Sequence, residues 1–319
     1  MATSETNTFT QVKNQIIELA YSRIGVLSDE NALTAFQVER GSTLLNIMIK
    51  SWIQDGIRLW KQARGTLFLN AGQNSYILDG STANATENFT ETESASLTSS
   101  GSSLIQVNSI DGFVVNYFIG LVQDNNTIHW STISAVGPGN DISINTPTTY
   151  DSASGKNVYV YETKINRPEN IINAQRKISG DTEVGMQLLA RDTYDSIAIK
   201  TQKSIPSQLY YNKQLSYGEI KLFGTPSSIT YKIKLTFQKQ FFDMTNPTDD
   251  FDFPTEWLES IYLNLAVKLI GFNSIKDPQF VMFLKEEAAT ALSLAKQYDD
   301  DMGSVYFYPA DDNNRGTYL

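Results

Sequence analysis

The chain of 319 residues has no cysteine and a single histidine. The first absence excludes disulfides, thiolate nucleophiles and cysteine-ligated metals. The second excludes paired-histidine metal motifs and leaves no convincing Ser-His-Asp set. Basic residues are in deficit: 25 Lys and Arg stand against 35 Asp and Glu, a net charge of −10. That balance speaks against a broad face gripping nucleic-acid phosphates, although an acidic channel wall lets DNA slide past. Neither GxGxxG nor GxxxxGK[ST] occurs, so no phosphate cradle is expected. Long apolar runs are missing too. The polar opening "MATSETNTFTQVKNQ" reads neither as a signal peptide nor as a membrane span. The expectation is a protein made in a cytoplasm, with no cofactor, no metal and no membrane partner.

What is present is enough apolar material, 41% of residues, to build a sizeable core. Val12, Ile16, Ile17, Leu19, Ala20 and Ile24 recur at near-helical spacing, and Gly25 supplies a stop. A second helix opens at Thr34, with Gln37 three residues on in the pattern of a capping box. Its stripe runs Val38, Gly41, Leu45, Met48, Trp52, and Gly56 ends it. Glycine inside the stripe predicts close helix packing at Gly41. "GTLFLNAGQNSYILDG" then reads as a β-hairpin, with runs 66–69 and 75–78 around a turn. Residues 81–103 are rich in Ser, Thr and Asn, and from 104 to 161 short runs of period two predict a small all-β domain, barrel or sandwich. Between 165 and 238 further strands surround a short helix in "ARDTYDSIAIK", and Ile229 to Phe237 alternate as a half-solvated strand. Pro254 opens a late helix that Gly271 closes, and a last helix covers about 278–297.

The expected fold class is therefore α+β: a helical-bundle core from the N- and C-terminal helices, a β hairpin and sheet in the middle, and an inserted all-β domain. Its expected parts are 1–80 for the helix pair and hairpin, 81–163 for the insertion, 164–302 for the completing strands and helices, and 303–319 for an extended tail. Trp52, Trp257 and Leu265 fall on helical stripes and are expected to pack in the core.

Candidate chemistry is thin. His129 sits in the alternating strand "TIHWST", where a structural role is expected. Glu256 with Glu259, Glu286 with Glu287, and Asp249, Asp250 and Asp252 offer carboxylate pairs. A glycosidase needs only two carboxyls, but helix surfaces explain such pairs as well. "DDDMGS" at 299–304 lacks the glycine and terminal glutamate of a calcium loop. No catalytic residue is expected. The tail "SVYFYPADDNNRGTYL" stands out: Val305, Tyr306, Phe307, Tyr308 and Pro309, with Arg315 and Tyr318 beyond, suit an aromatic anchor on a neighbouring protein.

Taken in order, these segments resemble the head-to-tail adaptor family of short-tailed phages, also called tail accessory factor or packaged-DNA stabilisation protein. The resemblance lies in "LNIMIKSWIQDGIRLW", "GTLFLNAGQNSYILDG", "RDTYDSI", "PSQLYYNKQL", "LTFQKQFFDM", "DFPTEWLESIYLNLAVKL" and "SVYFYP". Residues 81–163 depart from the shorter members, while longer phage relatives carry a strand similar to "NNTIHWSTI". The resemblance implies a virion protein at the head-tail junction, in a ring, twelvefold, beneath the portal protein. That ring extends the DNA channel, helps retain packaged DNA and offers a platform for tail nozzle or fibre proteins. It implies that the tail, with Val305 to Pro309, Arg315 and Tyr318, is the portal-binding segment. Two other readings stand beside it: a virion-associated peptidoglycan hydrolase using paired carboxylates, and a receptor- or glycan-binding tail protein acting through the β insertion.

Overall fold

The computed structural model of the protein describes residues 12–27, 32–54, 61–178, 182–240, 253–273 and 277–298. The residues expected to bind a portal, Val305, Tyr306, Phe307, Tyr308, Pro309, Arg315 and Tyr318, the expected helix stop Gly56, the acidic run 299–304 and Asp249, Asp250 and Asp252 lie outside the described residues. The chain divides into two compact units: Met1–Trp60 with Phe241–Leu319, and Lys61–Gln240.

Five helices are described: α1 (Lys13–Arg23), α2 (Ala35–Gln54), α3 (Arg191–Asp195), α4 (Leu258–Ile270) and α5 (Pro278–Tyr298). Four of them belong to the first unit. The α1 helix stops where Gly25 takes a φ of 71°, a conformation that costs glycine little. At the start of α2 the side chain of Gln37 accepts from the Thr34 backbone N–H at 2.9 Å, and Thr34 Oγ1 accepts from the Gln37 N–H at 3.3 Å. This is the reciprocal capping box that the spacing predicts. Gly41 lets α1 and α2 close up: a β-carbon there would stand 2.6 Å from Ile17 Cγ2. Pro254 precedes a single 3-10 turn, Thr255–Trp257, before α4 proper begins. Ile17, Leu45, Trp52, Trp257, Leu265 and Leu284 share one apolar cluster.

The second unit is β. It begins with β1 (Gln62–Phe68), β2 (Ser75–Leu78) and β3 (Ala85–Thr86). Next come β4 (Thr90–Glu93), β5 (Leu104–Gln106), β6 (Phe118–Val122), β7 (Ile128–Val136), β8 (Asp141–Ile144) and β9 (Asn157–Tyr161). The last are β10 (Asn170–Lys177), β11 (Glu183–Gly185), β12 (Gln187–Leu189), β13 (Gln208–Lys213), β14 (Gly218–Phe223) and β15 (Lys232–Gln238). Two sheets, ordered β11-β10-β15-β1-β3 and β12-β13-β14-β2, share an apolar layer that includes Leu67, Tyr76, Leu209, Leu222, Ile233 and Leu235. On β15 the alternation holds as far as Phe237: Ile233, Leu235 and Phe237 are buried while Lys232, Lys234 and Thr236 stay partly exposed, and the last residue, Gln238, is buried as well.

The third sheet runs β4-β9-β6-β7-β8-β5. Its two edges meet. Ser94, after β4, bridges Val107, after β5, and the Ala95 N–H donates to Gln106 O at 2.8 Å while the Asn108 N–H donates to Glu93 O at 2.9 Å. The sheet thereby closes into a small barrel and leaves no open edge there. Ile105, Ile119, Leu121, Ile133, Ile142, Val158 and Val160 fill it.

Two expectations need correction. The α+β fold class organised on a helical-bundle core does not hold: among the described residues, 15 strands in three sheets dominate, and three of the four apolar clusters lie in the β unit. Helical stripes of 11 to 21 residues are loud in a sequence, whereas strands of two to nine residues carry little periodic signal. The hairpin at 66–78 is corrected as well. Both strands exist, but β1 pairs with β15 and β3 while β2 pairs with β14. The connection is held from outside, with the Gly72 N–H donating to Pro226 O at 2.7 Å and the Leu222 N–H donating to Asn74 O at 2.8 Å. "NAGQN" is a corner between two sheets.

Candidate binding cleft and exposed aromatic surface

The outer face of the barrel carries an aromatic cluster that the sequence did not announce. On β9, Val158 and Val160 face inward, so the period of two turns Tyr159 and Tyr161 outward. They meet Phe68, the last residue of β1, at ring-centroid distances of 4.8 and 6.3 Å. Phe89 and Trp130 also reach Phe68, each at 5.2 Å. Phe68 is thus the apolar seat of the barrel on the five-stranded sheet.

Over this cluster lies Lys232, the first residue of β15, its side chain only 13% exposed. Its ammonium stands 4.2 Å from the ring centre of Tyr159 and 5.2 Å from that of Phe89, within cation–π reach. It donates to Glu91 Oε2 at 2.9 Å, and Glu91 also accepts from Asn157 Nδ2 at 2.7 Å. Burial holds the Lys232 pKa below the ordinary lysine value; the Glu91 carboxylate opposes this shift, and the nearby Lys177 ammonium reinforces it. Burial likewise pushes the Tyr159 phenol up to about 12, against the hydrogen bond from Asn157.

Beside these groups opens a cleft of about 480 Å³, lined by Glu91, Asn126, Lys156, Asn157, Lys177 and Lys232 among others. Val122, Ile178 and Ile229 supply an apolar wall. Lys156 is paired with Asp124 at 3.2 Å. The sequence reading missed this site. Its one available signal was the set of charges on the solvated side of alternating strands, Glu91 in "TETE" and Lys232 in "KIKLTFQ"; nothing in the spacing says that these two strands approach each other.

The core-packing residues Trp52, Trp257 and Leu265 are all buried in the helical cluster of the first unit. His129 is buried on β7 with Nε2 2.9 Å from Thr146 O, which accounts for it structurally. Glu256, Glu259 and Glu286 are exposed, and Glu287 pairs with Arg23. Among the described residues no cluster of His, Asp and Glu could hold a metal ion, and no helix is long and apolar enough to cross a membrane.

The first unit exposes aromatic groups of its own. Phe36 on α2 and Phe272 after α4 are 62% and 54% exposed. Between them lies the Arg40 guanidinium, 4.3 Å from one ring centre and 4.9 Å from the other. On α5, Met282 and Phe283 are also exposed, and Arg23 approaches the Phe283 ring at 6.0 Å.

No protein-family model and no curated protein matches the chain. Among solved structures, VP17, a capsid protein of bacteriophage P23-77, aligns with 60% of this chain and 72% of its own at 10% identity and a TM-score of 0.13. MreC of Lysteria monocytogenes aligns with 66% of this chain and 93% of its own at 7% identity and a TM-score of 0.13. Scores of this size are far below those of a shared fold.

Proposed function

We propose that the protein is a structural virion component, a head-to-tail adaptor that assembles as a ring beneath a phage portal. In this role it extends the DNA channel, helps retain the packaged genome and carries tail parts, with no catalytic step of its own. The observation that carries the reading is the exposed Phe36–Arg40–Phe272 stack. Aromatic and arginine side chains dominate the binding energy of protein interfaces, and two large rings kept in water beside a guanidinium are costly for a protein without a partner. The ordered motifs of the sequence add the kind of partner: copies of this chain through head-to-tail contacts that close by rotation, and a portal through residues 303–319. An acidic chain suits a channel through which DNA passes without being held.

The test is mass photometry of the full chain and of a chain ending at Gly303, each with and without the cognate portal protein. Full-length protein is expected to load onto the portal in multiple copies, the truncated chain to fail, and Phe36→Ala with Arg40→Ala to weaken subunit addition. A full-length chain that ignores the portal overturns the reading.

A further inference from the structure

The groups gathered on Glu91 carry a chemistry that the adaptor role does not use. Glu91 stands opposite Tyr159 in the β4–β9 pair, and Asn157, two residues before Tyr159, shares its face of β9. Lys232 reaches the same point from β15. One carboxylate holds both neighbours: Lys232 Nζ donates to Oε2 at 2.9 Å, and Asn157 Nδ2 donates to Oε1 at 2.7 Å. The Tyr159 hydroxyl lies 3.2 Å from the same carboxamide nitrogen. Rings surround the amine, with Tyr159, Phe89 and Phe68 centred 4.2, 5.2 and 5.8 Å from Nζ, and the lysine side chain is 13% exposed. An ion pair needs only the lysine and the glutamate. A carboxamide as third member completes the set for acyl transfer: a nucleophile, an acid–base group and an electrophile. Burial favours the neutral, nucleophilic form of the amine.

We propose that Lys232 and Asn157 join in an intramolecular isopeptide bond, with Glu91 moving the protons. The Lys232 ammonium first gives a proton to the Glu91 carboxylate. A half-turn of the carboxamide exchanges its two ends and turns Oδ1 toward the protonated Glu91 and the Tyr159 hydroxyl, which both donate to it as charge develops there. The Nζ lone pair then adds to Asn157 Cγ. As the tetrahedral centre collapses, the Cγ–Nδ2 bond breaks, and a proton from Nζ passes by way of Glu91 to the departing nitrogen. Ammonia leaves through the cleft that Glu91, Asn157, Tyr159 and Lys232 line, taking the remaining proton of Glu91 to become ammonium. One C–N bond forms and one breaks, nothing is oxidised or reduced, and no co-reactant is needed. The bond ties β15 of the five-stranded sheet to β9 of the barrel, across 75 positions of the chain (232 − 157), and so fastens the barrel over its Phe68 seat. Stability comparisons of Lys232 and Glu91 variants are made with the unlinked chain, in which this ion pair is intact. The inference stands on these residues alone and is independent of the adaptor role.

Intact-mass spectrometry of the purified full chain, followed by peptide mapping, tests it. The wild-type chain is expected about 17 Da below its sequence mass, the loss of one ammonia, and a branched peptide should carry Lys232 joined to Asn157. This readout needs no variant. Glu91→Gln, Lys232→Arg and Asn157→Ala should each keep the full mass and lack the branched peptide, with circular dichroism showing that they are folded. Lys234→Arg, at the next solvated lysine of β15, should leave the linkage in place. A wild-type chain that keeps its full mass after prolonged incubation at mildly alkaline pH overturns the proposal. So does the same mass loss mapped to a succinimide at an asparagine, or a branched peptide that persists in Glu91→Gln.

Discussion

The indole rings of Trp52 and Trp257 stand 6.0 Å apart, inclined at 52°, although 205 positions separate them in the chain (257 − 52). Trp257 is 1% exposed and Trp52 6%, so each has lost nearly all contact with water. Phe253 adds a third ring, 6.2 Å from Trp257. Trp257→Ala is expected to destabilise the helical unit by about 3–5 kcal/mol, the usual cost of emptying a large aromatic site. A double-mutant cycle with Trp52→Phe should return a coupling of about 0.5–1.5 kcal/mol. Denaturant unfolding followed by tryptophan fluorescence measures both; a coupling near zero would mean that the rings are neighbours without being partners.

Gly120 is the weak point of the barrel. It lies on β6, opposite Trp130 on β7 and Tyr159 on β9. A β-carbon there would come 2.5 Å from the Trp130 ring. The indole cannot easily withdraw, because it rests on Phe68 at 5.2 Å and Tyr161 at 5.6 Å. Gly120→Ala is expected to cost about 1–3 kcal/mol through overpacking and to shift Trp130 emission. An unchanged melting temperature would show that the ring repacks freely.

Helix positions were legible because each depends on neighbours in sequence. The Thr34–Gln37 box and the Gly25 stop each involve residues whose spacing declares their role, and Gly41 stands out as a glycine within an apolar stripe, although its contact, Ile17, lies on another helix. The alternation of Ile233, Leu235 and Phe237 was legible for the same reason. What the spacing hid was pairing at a distance. Nothing local to "GTLFLNAGQNSYILDG" says that Thr66 lies opposite Lys234 and Ile77 opposite Glu219. The hairpin reading took the nearest partner and was wrong. Nor does a strand ending in Phe68 foretell that four aromatic rings gather on it, or that Glu91 and Lys232, with 141 positions between them, make a salt bridge over those rings. The cleft exists only through these long-range meetings, so the sequence placed its charges on solvated faces and could not assemble them.

Buried tyrosines set the alkaline limit of the β unit. Burial pushes the phenols of Tyr76 and Tyr159 up to about 12, and raises those of Tyr161 and Tyr211 as well. A raised folded pKa means that the native state holds its proton more tightly than the unfolded chain does. The stability contribution is complete below the unfolded value of about 10 and is lost as pH rises through the folded values. Unfolding midpoints should therefore fall steadily between pH 10 and pH 12. Tyr161→Phe, which removes one titrating phenol along with its hydrogen bond to Asn84 Oδ1, should flatten that slope while lowering stability at pH 7 by about 1 kcal/mol. Urea titrations at several pH values check it, and tyrosinate absorbance reports the order in which the phenols ionise.

At the opposite end of that balance stands Lys232, whose charge is held between a carboxylate and three rings. Its folded pKa is lowered, so the native state gives up this proton more readily than the unfolded chain. The penalty for burying the charge is therefore present below the folded pKa and disappears as pH rises toward the unfolded lysine value. Lys232→Met keeps the stem packed against Phe68 and Tyr159 but removes both the charge and the penalty. It also removes the cation–π contacts and leaves Glu91, 41% exposed, to be solvated by water. These opposing effects predict a small change at pH 7, about 1 kcal/mol or less in either direction, rather than collapse. Glu91→Gln is the harsher change, since it leaves a nearly buried ammonium without its counter-charge, and it is expected to cost about 2 kcal/mol or more. Chemical denaturation of the two single variants and the double variant decides it. If Glu91→Gln proves milder than Lys232→Met, the rings of Tyr159 and Phe89 rather than the carboxylate hold the cation.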